Sequence, residues 1–234
     1  MIAKTKAIIL RNTNYSESSI ISKMYTREFG VRSYILQSVR KGKSVVRPSM
    51  IQPLSIVEMD VYQKPNMKLG RVKELKNTPL LVNIQDDMLR KSIALFYIEV
   101  INCCVTEEHC EEDLFDFLEN EILSLEKTTV LSNLPILFLL SLSSFLGVQP
   151  QGLYGPSTQY LSIQEGVFVP QEGLDTLTEI ESKFISLLLH SKDKVLGNAA
   201  LRKQALKQLI RYYQHHVIKN KEIKSVDILS ELLG

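Results

Sequence analysis

A basic stretch at residues 40–47 is the most direct candidate for chemistry in this sequence. Its four cations are Arg40, Lys41, Lys43 and Arg47. Flexible cations neutralise the phosphates of a nucleic-acid backbone and release its condensed counterions. The alternative is a solvated surface loop. A nucleotide-binding phosphate loop is not expected, because Gly42 is the only glycine between Gly30 and Gly70.

The surrounding N-terminal region supplies more positive charge together with aromatic rings. The first 80 residues hold 15 Lys/Arg against 5 Asp/Glu, whereas the other 154 hold 13 against 21. Cations that follow a backbone and rings on which bases stack are the two elements of a single-strand binding groove. The candidate DNA-binding residues are therefore Arg11, Tyr15, Lys23, Arg27, Arg32, Tyr34, Arg40, Lys41, Lys43 and Arg47. Tyr25, Tyr62, Lys64, Lys68, Arg71 and Lys73 add rings and charge to the same region.

A second basic group lies near the C-terminus. Lys203, Lys207 and Arg211 recur every four residues on a predicted helix, a spacing at which like charges repel. They pair either with the acidic helices near residues 107–126 or with an acidic peptide or nucleic acid from outside. Between residues 85 and 127, 12 acids stand against 3 bases, and this acidic block could limit how far DNA spreads over the protein.

The sequence gives little support for a metal site or for catalysis. Cys103, Cys104 and Cys110 are close together, but neighbouring cysteines point about 100° apart on a helix and no second C-x-x-C motif occurs. The acids at residues 107–113 lack the glycine and alternating ligands of a calcium loop. No nucleophile elbow, Walker, dinucleotide-binding or zinc-protease motif is present. We predict no metal, no cofactor, no small-molecule substrate and no enzymatic activity.

The elements that must position these residues change in character near residue 79. Before it, five short strands are predicted at residues 4–10, 19–25, 32–39, 54–62 and 70–75, which suggests a small barrel. After it, helical periodicity covers residues 89–100, 114–125, 134–146, 177–189, 198–218 and 225–233. The prediction is an α+β chain, with domains at 1–79 and 80–234 and an irregular insertion at 151–174.

The apolar patterning predicts a soluble cytoplasmic protein. Lys4, Lys6 and Arg11 interrupt any secretory signal. The longest apolar stretch, residues 134–146, is too short for a membrane helix and includes Pro135. Three clustered cysteines make a poor disulfide framework, so a reducing compartment is expected.

Taken in order, these residues resemble the bacterial recombination mediator family RecO. The opening of the resemblance consists of Arg11, Tyr15-Ser16-Glu17-Ser18, Ile21, Tyr25-Thr26, Gly30, the loop from Arg40 to Ser44, and Gln52-Pro53-Leu54. Its middle and end consist of Leu146-Gly147, Pro150, Arg211-Tyr212, His216, Lys224-Ser225 and Ile228-Leu229. The match spans nearly the whole chain.

The resemblance implies an N-terminal OB-fold, a five-stranded barrel, followed by an α-helical domain without catalytic activity. RecO-like proteins bind single- and double-stranded DNA and anneal complementary strands. With RecR they help load RecA onto DNA coated by single-strand binding protein, whose acidic C-terminal tail they contact. We assign Lys203, Lys207 and Arg211 as candidate residues for that tail.

One departure from the resemblance concerns zinc. Many family members carry four zinc-binding cysteines after the Leu-Gly and Pro positions, but residues 152–173 contain none. We therefore expect Tyr154, Tyr160, Ile163 and Phe168 to hold the insertion by packing.

An OB-fold adaptor that binds an acidic protein instead of DNA is the alternative function. A nuclease is disfavoured because no paired carboxylates have metal-binding spacing.

Overall fold

The computed structural model describes residues 2–37, 39, 46–62, 69–106, 110–190, 197–218 and 221–232. The chain forms two compact units. The first contains Met1–Asp87 and Val105–Lys127, and the second contains Met88–Cys104 and Thr128–Gly234. A helix that the sequence pattern placed in the second domain, near residues 114–125, is therefore part of the unit that contains the barrel.

The first unit is built on a closed five-stranded barrel. Its strands are β1 (Ile2–Asn14), β2 (Ile20–Thr26), β3 (Gly30–Leu36), β4 (Ile56–Tyr62) and β5 (Leu69–Asn77). They close in the order β1-β2-β3-β5-β4. The β3–β5 pair is parallel and the other pairs are antiparallel. The predicted α+β class and the OB-fold barrel are confirmed.

Alternation along the strands divides each of them into an inner and an outer side. The inner side packs one apolar core that includes Ile9, Met24 and Val57. Tyr34 is fully buried in this core. Its ring lies against Gly70, where a Cβ would come within 2.5 Å of the ring carbons. Glycine is required there because any side chain would displace the tyrosine.

The ends of the basic loop are anchored in the barrel. Val39 and Val46, which flank residues 40–45, are both buried in the same core. A 3₁₀ turn at Pro48–Ile51 follows, and the Asn12 side-chain amide donates to the Ile51 carbonyl at 2.5 Å. Arg40, Lys41 and Lys43 lie outside the described residues.

Two helices complete the first unit. Helix α1 spans Val82–Asp86. Helix α3 spans Glu112–Lys127 and buries one apolar side that includes Leu114, Phe115 and Leu118. The Tyr25 ring lies 6.0 Å from that of Phe115, so α3 packs on the outer surface of β2.

The second unit is helical. It contains α2 (Met88–Cys104), α4 (Leu134–Phe145), α5 (Glu179–His190), α6 (Ala199–His216) and α7 (Ser225–Leu232). Helix α4 lies at its centre, with the Phe138 ring stacked 3.9 Å from that of Tyr97. As the sequence pattern indicates, Pro135 lies in the first turn of α4, and Gly147 with φ +70° follows its end. Within the described ranges, no helix is both long and apolar enough to cross a membrane.

Candidate nucleic-acid interface

The strand register places two cations directly opposite each other on the outside of the barrel. Arg11 of β1 pairs with Lys23 of β2, next to a bulge between Ile9 and Arg11. Lys23 in turn pairs with Ser33 of β3. One step along, Thr13 pairs with Ile21, and Ile21 with Ile35. We call this outer surface of β1, β2 and β3 the cationic face: Arg11, Thr13, Ile21, Lys23, Ser33 and Ile35.

The cationic face contains no carboxylate. Like charges directly opposite on neighbouring strands destabilise a sheet. In the described part of the chain, neither Arg11 nor Lys23 forms an ion pair. An external polyanion would remove this repulsion, and phosphate groups have the required charge and hydrogen-bond acceptors.

A row of apolar and aromatic side chains continues around the barrel from this face. The register links Ile35 to Arg71 of β5, Arg71 to Tyr62 of β4, and Tyr62 to Ile2 of β1. Tyr62 is 42% exposed and Ile2 47% exposed. We call Ile2, Ile21, Ile35, Tyr62 and Arg71 the cross-strand band. Its one aromatic ring and its apolar surface are of the kind on which unpaired bases stack, and Arg71 lies opposite Tyr62 in the register.

The outer surface of β1, β4 and β5 has a different charge arrangement. Here the register sets Lys4 opposite Asp60 and Asp60 opposite Glu74. It also sets Glu58 between Lys6 and Lys76, and the Lys76 ammonium lies 2.9 Å from the Glu58 carboxylate. The hydrogen bond from Lys76 lowers the pKa of the Glu58 carboxyl. We call these six residues the charge-paired face, and they line a groove of about 610 Å³.

Helix α3 supplies carboxylates to Arg27 and also to Lys6 of the charge-paired face. The Arg27 guanidinium contacts Asp116 at 2.8 and 3.0 Å and Glu112 at 2.7 Å. The hydrogen bond from Arg27 lowers the pKa of the Asp116 carboxyl. The Lys6 ammonium lies 2.8 Å from Glu119. Three acidic residues of α3 therefore pair with cations of the barrel.

The structure brings only some of the predicted DNA-binding residues together. Arg11 and Lys23 share the cationic face. Tyr15 is 60% exposed in the turn after β1, and Arg47 is exposed immediately before the 3₁₀ turn. The common feature of these four residues is that a ligand can reach them.

Three of the candidate DNA-binding residues, namely Tyr34, Arg32 and Arg27, are placed elsewhere for physical reasons, and so is the further ring Tyr25. Tyr34 cannot stack on a base because its ring is fully buried, and burial raises its pKa to about 12. The same holds for Tyr25, whose ring is buried beside α3. Arg32 pairs in register with the core residue Met24 and donates to the Val31 carbonyl at 3.0 Å. Arg27 is engaged by α3.

The structure adds Tyr62 and Arg71 to the candidate DNA-binding residues. The sequence identified them only as a further ring and a further charge in the same region. A signal for Tyr62 was present, because Val57, Met59 and Val61 alternate with Glu58, Asp60 and Tyr62. If the apolar set of that strand faces the core, Tyr62 faces outward. The pairing of Tyr62 with Arg71 follows from the β4–β5 register, which is shifted by a bulge between Asp60 and Val61.

The basic ridge of α6 consists of Lys203, Lys207 and Arg211, and all three side chains are exposed. The Arg211 guanidinium donates to the Gln208 side chain at 2.7 Å. Within the described residues of their own unit, none of the three forms an ion pair. Three of the acids that the sequence offered as one possible set of partners, namely Glu112, Asp116 and Glu119, contact Arg27 and Lys6 within the first unit.

The donor groups in the second unit do not fit a zinc site. Segment 151–174 contains no cysteine, and no cluster of three or more potential metal ligands occurs among the residues that the structure describes. Burial raises the pKa of the Cys104 thiol to about 12, which disfavours the thiolate that zinc requires. The insertion is held otherwise: strands β6 (Tyr160–Leu161) and β7 (Phe168–Val169) pair, and Leu161, Ile163 and Phe168 are buried.

Helix α6 fastens the same insertion and the residues just before it by hydrogen bonds. The Tyr212 hydroxyl donates to the Val148 carbonyl at 2.7 Å. The His216 Nε2 atom lies 2.7 Å from the Ile163 carbonyl oxygen. Gly166, with φ +70°, comes so close to Tyr212 that a Cβ would lie 2.7 Å from the hydroxyl. These contacts provide the local order that a metal would otherwise supply.

Comparison with known proteins assigns the chain to a family. The pattern described as Recombination protein O N terminal matches residues 1–78, and Recombination protein O C terminal matches residues 85–225. The DNA repair protein RecO of Flavobacterium psychrophilum is 30% identical over 239 residues, covering 100% of both chains. Those of Azobacteroides pseudotrichonymphae and Porphyromonas gingivalis are each 31% identical, covering 98% and 99% of both chains, respectively. The chain therefore belongs to the RecO family of DNA repair proteins.

Proposed function

We propose that the protein is a non-enzymatic recombination mediator in DNA repair, which binds single- and double-stranded DNA and anneals complementary strands. The observation that carries the proposal is the cationic face, where Arg11 and Lys23 are directly opposed and have no carboxylate between them. DNA phosphates supply the charge that this pair lacks. The protein would act in the cytoplasm, on the nucleoid.

Annealing follows from charge neutralisation and needs no ATP. Two DNA strands repel each other until their phosphates are screened. A protein that holds each strand through several Lys and Arg contacts removes that barrier and releases counterions. Arg11 and Lys23 provide such contacts on the barrel, and we propose that the exposed Arg47 and the cations Arg40, Lys41 and Lys43, which lie outside the described residues, add to them.

Bases are held through the rings and apolar groups next to those cations. Tyr15 and Tyr62 are the exposed tyrosines of the described barrel, and Ile21 and Ile35 lie half-buried between Thr13 and Arg71 in the register. Stacking is tolerant of sequence because every base has a π-face. The proposal therefore predicts binding with little sequence preference.

The helical unit is proposed to receive protein partners. Lys203, Lys207 and Arg211 form an exposed ridge without acidic partners among the described residues of that unit, so an acidic peptide can bind along it. We assign this ridge to the acidic C-terminal tail of single-strand binding protein. Together with RecR, the protein would then assist RecA loading on coated DNA.

The test is a strand-annealing assay with labelled complementary oligonucleotides, with and without single-strand binding protein. We expect annealing without ATP. With about five phosphate contacts, affinity for single strands should fall on the order of a hundredfold when salt rises from about 50 to about 200 mM. Inactivity on bare complementary strands, or binding that is independent of salt, would contradict the proposal.

The same preparation distinguishes the other functions. An adaptor for acidic proteins would bind an acidic peptide but would not anneal DNA. A nuclease would shorten labelled DNA when magnesium or manganese is added. Reversal of Arg40, Lys41 and Lys43 to Glu should abolish annealing without unfolding the protein, and unchanged annealing would favour the adaptor.

A further inference from the structure

Helix α3 ends the cationic face on one side. Along β2, the outward positions are Ile21, Lys23 and Tyr25, and Arg27 follows immediately after the strand. Lys23 is half-buried and accessible, whereas Tyr25 is fully buried. The Tyr25 hydroxyl donates to the Glu111 carbonyl at 3.3 Å. The exposed cationic surface therefore stops between Lys23 and Tyr25, where α3 begins to cover the strand.

Beyond this edge, two barrel cations are occupied by carboxylates of α3. Two oxygens of Asp116 accept from two nitrogens of Arg27 at 2.8 and 3.0 Å, and Glu112 contacts the same guanidinium at 2.7 Å. Both oxygens of Glu119 accept from the Lys6 ammonium at 2.8 and 3.1 Å. A two-pronged contact of this kind is the one that an arginine makes with a phosphate. The carboxylates thus hold the positions that DNA phosphates would otherwise take on these cations.

We infer that α3 sets the boundary of the DNA path on the barrel, because Glu112, Asp116 and Glu119 keep Arg27 and Lys6 from binding phosphates. This inference rests on the proposed function. DNA then contacts the cationic face and is kept off the adjoining surface of β1 and β2. The competing explanation is that the ion pairs serve only to attach α3 to the barrel.

The first two turns of α3 and the residue before the helix offer a matched pair of variants. Glu112→Gln with Asp116→Asn releases Arg27. Glu111→Gln with Asp113→Asn makes the same change in charge on side chains that are exposed and form no ion pair in the described part of the chain. Exposed ion pairs contribute little to stability, so both variants should fold. Thermal unfolding checks this.

The measurement is the salt dependence of single-stranded DNA binding. Releasing Arg27 should steepen the slope of log K against log salt by about 0.7. Adding Glu119→Gln removes the carboxylate bonded to Lys6, which leaves only Glu58 opposite it in the register, and should steepen the slope by up to about 0.7 more. The Glu111 and Asp113 control should leave the slope unchanged. Adding Arg27→Gln to the Glu112 and Asp116 variant should return the slope to the wild-type value.

Two results would overturn the inference while leaving the proposed function intact. The first is that the wild-type protein binds DNA but the Glu112 and Asp116 variant shows no steeper salt slope. This result would mean that the ion pairs only attach α3 to the barrel. The second is an equal steepening of the salt slope in the Glu111 and Asp113 control. This result would mean that the acids of α3 act on DNA only through long-range electrostatics. If the wild-type protein binds no DNA, the proposed function fails, and the inference fails with it.

Discussion

Two faces of one barrel carry similar numbers of cations and use them in opposite ways. On the charge-paired face, Lys4 lies opposite Asp60 and Lys76 is bonded to Glu58. On the cationic face, Arg11 lies opposite Lys23 and no acid intervenes. The number of cations therefore does not distinguish the two faces, whereas the pairing of those cations does. What distinguishes the cationic face is charge left without an internal partner, beside an accessible apolar band.

The largest expected effect comes from neutralising each face in turn. Arg11→Gln with Lys23→Gln removes two phosphate contacts, each worth about 1.5 kcal/mol, so affinity for DNA should fall about a hundredfold. Lys6→Gln with Lys76→Gln makes the same change in net charge on cations of the charge-paired face that are bonded to Glu119 and Glu58, and affinity should barely change. Fluorescence anisotropy with a labelled single strand measures both. Equal losses would mean that only net charge matters and would abolish the distinction between the faces.

A smaller effect is expected at Tyr62, which the register places between Ile2 and Arg71. Stacking on one base is worth about 1–3 kcal/mol, so Tyr62→Ala should weaken single-strand binding about tenfold. The slope against salt should stay the same because no charge is removed. Tyr62→Phe keeps the ring and should bind as the wild type does. If Tyr62→Ala has no effect, the DNA path ends before β4.

Strand β4 was predictable because apolar residues alternate within it, and Val57, Met59 and Val61 are buried as that pattern indicates. The orientation of single residues outside such a pattern was not. Tyr34 faces inward because the β2–β3 register pairs it with Ser22 and because Gly70 leaves room for its ring. Neither the pairing with Ser22 nor the room at Gly70 can be recognised from the residues around Tyr34. The sequence alone therefore predicts Tyr34 as a stacking residue.

The partners of the acidic helix also depend on contacts between distant parts of the chain. Arg27 and Asp116 are 89 residues apart, and Lys6 and Glu119 are 113 apart. Charge runs identify which residues need partners but not which partner each one finds. The sequence therefore left two possibilities for the ridge at Lys203, Lys207 and Arg211. Sequence patterns identify elements more reliably than the side-chain pairs that join them.

A more modest effect should follow when the charge-paired face loses its acids. Glu58→Gln with Asp60→Asn removes the carboxylates opposite Lys76 and Lys4, so each becomes available to phosphate. The salt slope should steepen by at most about 1.4, for two added contacts. Glu165→Gln with Glu172→Gln, in the second unit, provides a control with the same net charge. A gain limited to the first variant would show that internal pairing keeps this face from binding DNA.

The smallest expected effect is a change in melting temperature. Its sign should differ between a variant of the charge-paired face and a variant of the cationic face. Lys76→Gln removes the partner of Glu58 and should slightly lower the melting temperature near neutral pH. Arg11→Gln relieves repulsion from Lys23 and should leave the melting temperature unchanged or slightly raised. Scanning calorimetry at several pH values measures both.

Acid pH should separate the two variants further. Because the hydrogen bond from Lys76 lowers the pKa of Glu58 in the folded state, the contribution of that pair is complete above the ordinary carboxyl pKa of about 4.3. That contribution is lost as the pH falls through the lowered pKa of Glu58 in the folded state. The loss of melting temperature caused by Lys76→Gln should therefore shrink in acid. The Arg11→Gln effect should persist there, since arginine and lysine keep their charge. If Arg11→Gln lowered the melting temperature, Arg11 would have a stabilising contact within the protein and would not be free to bind phosphate.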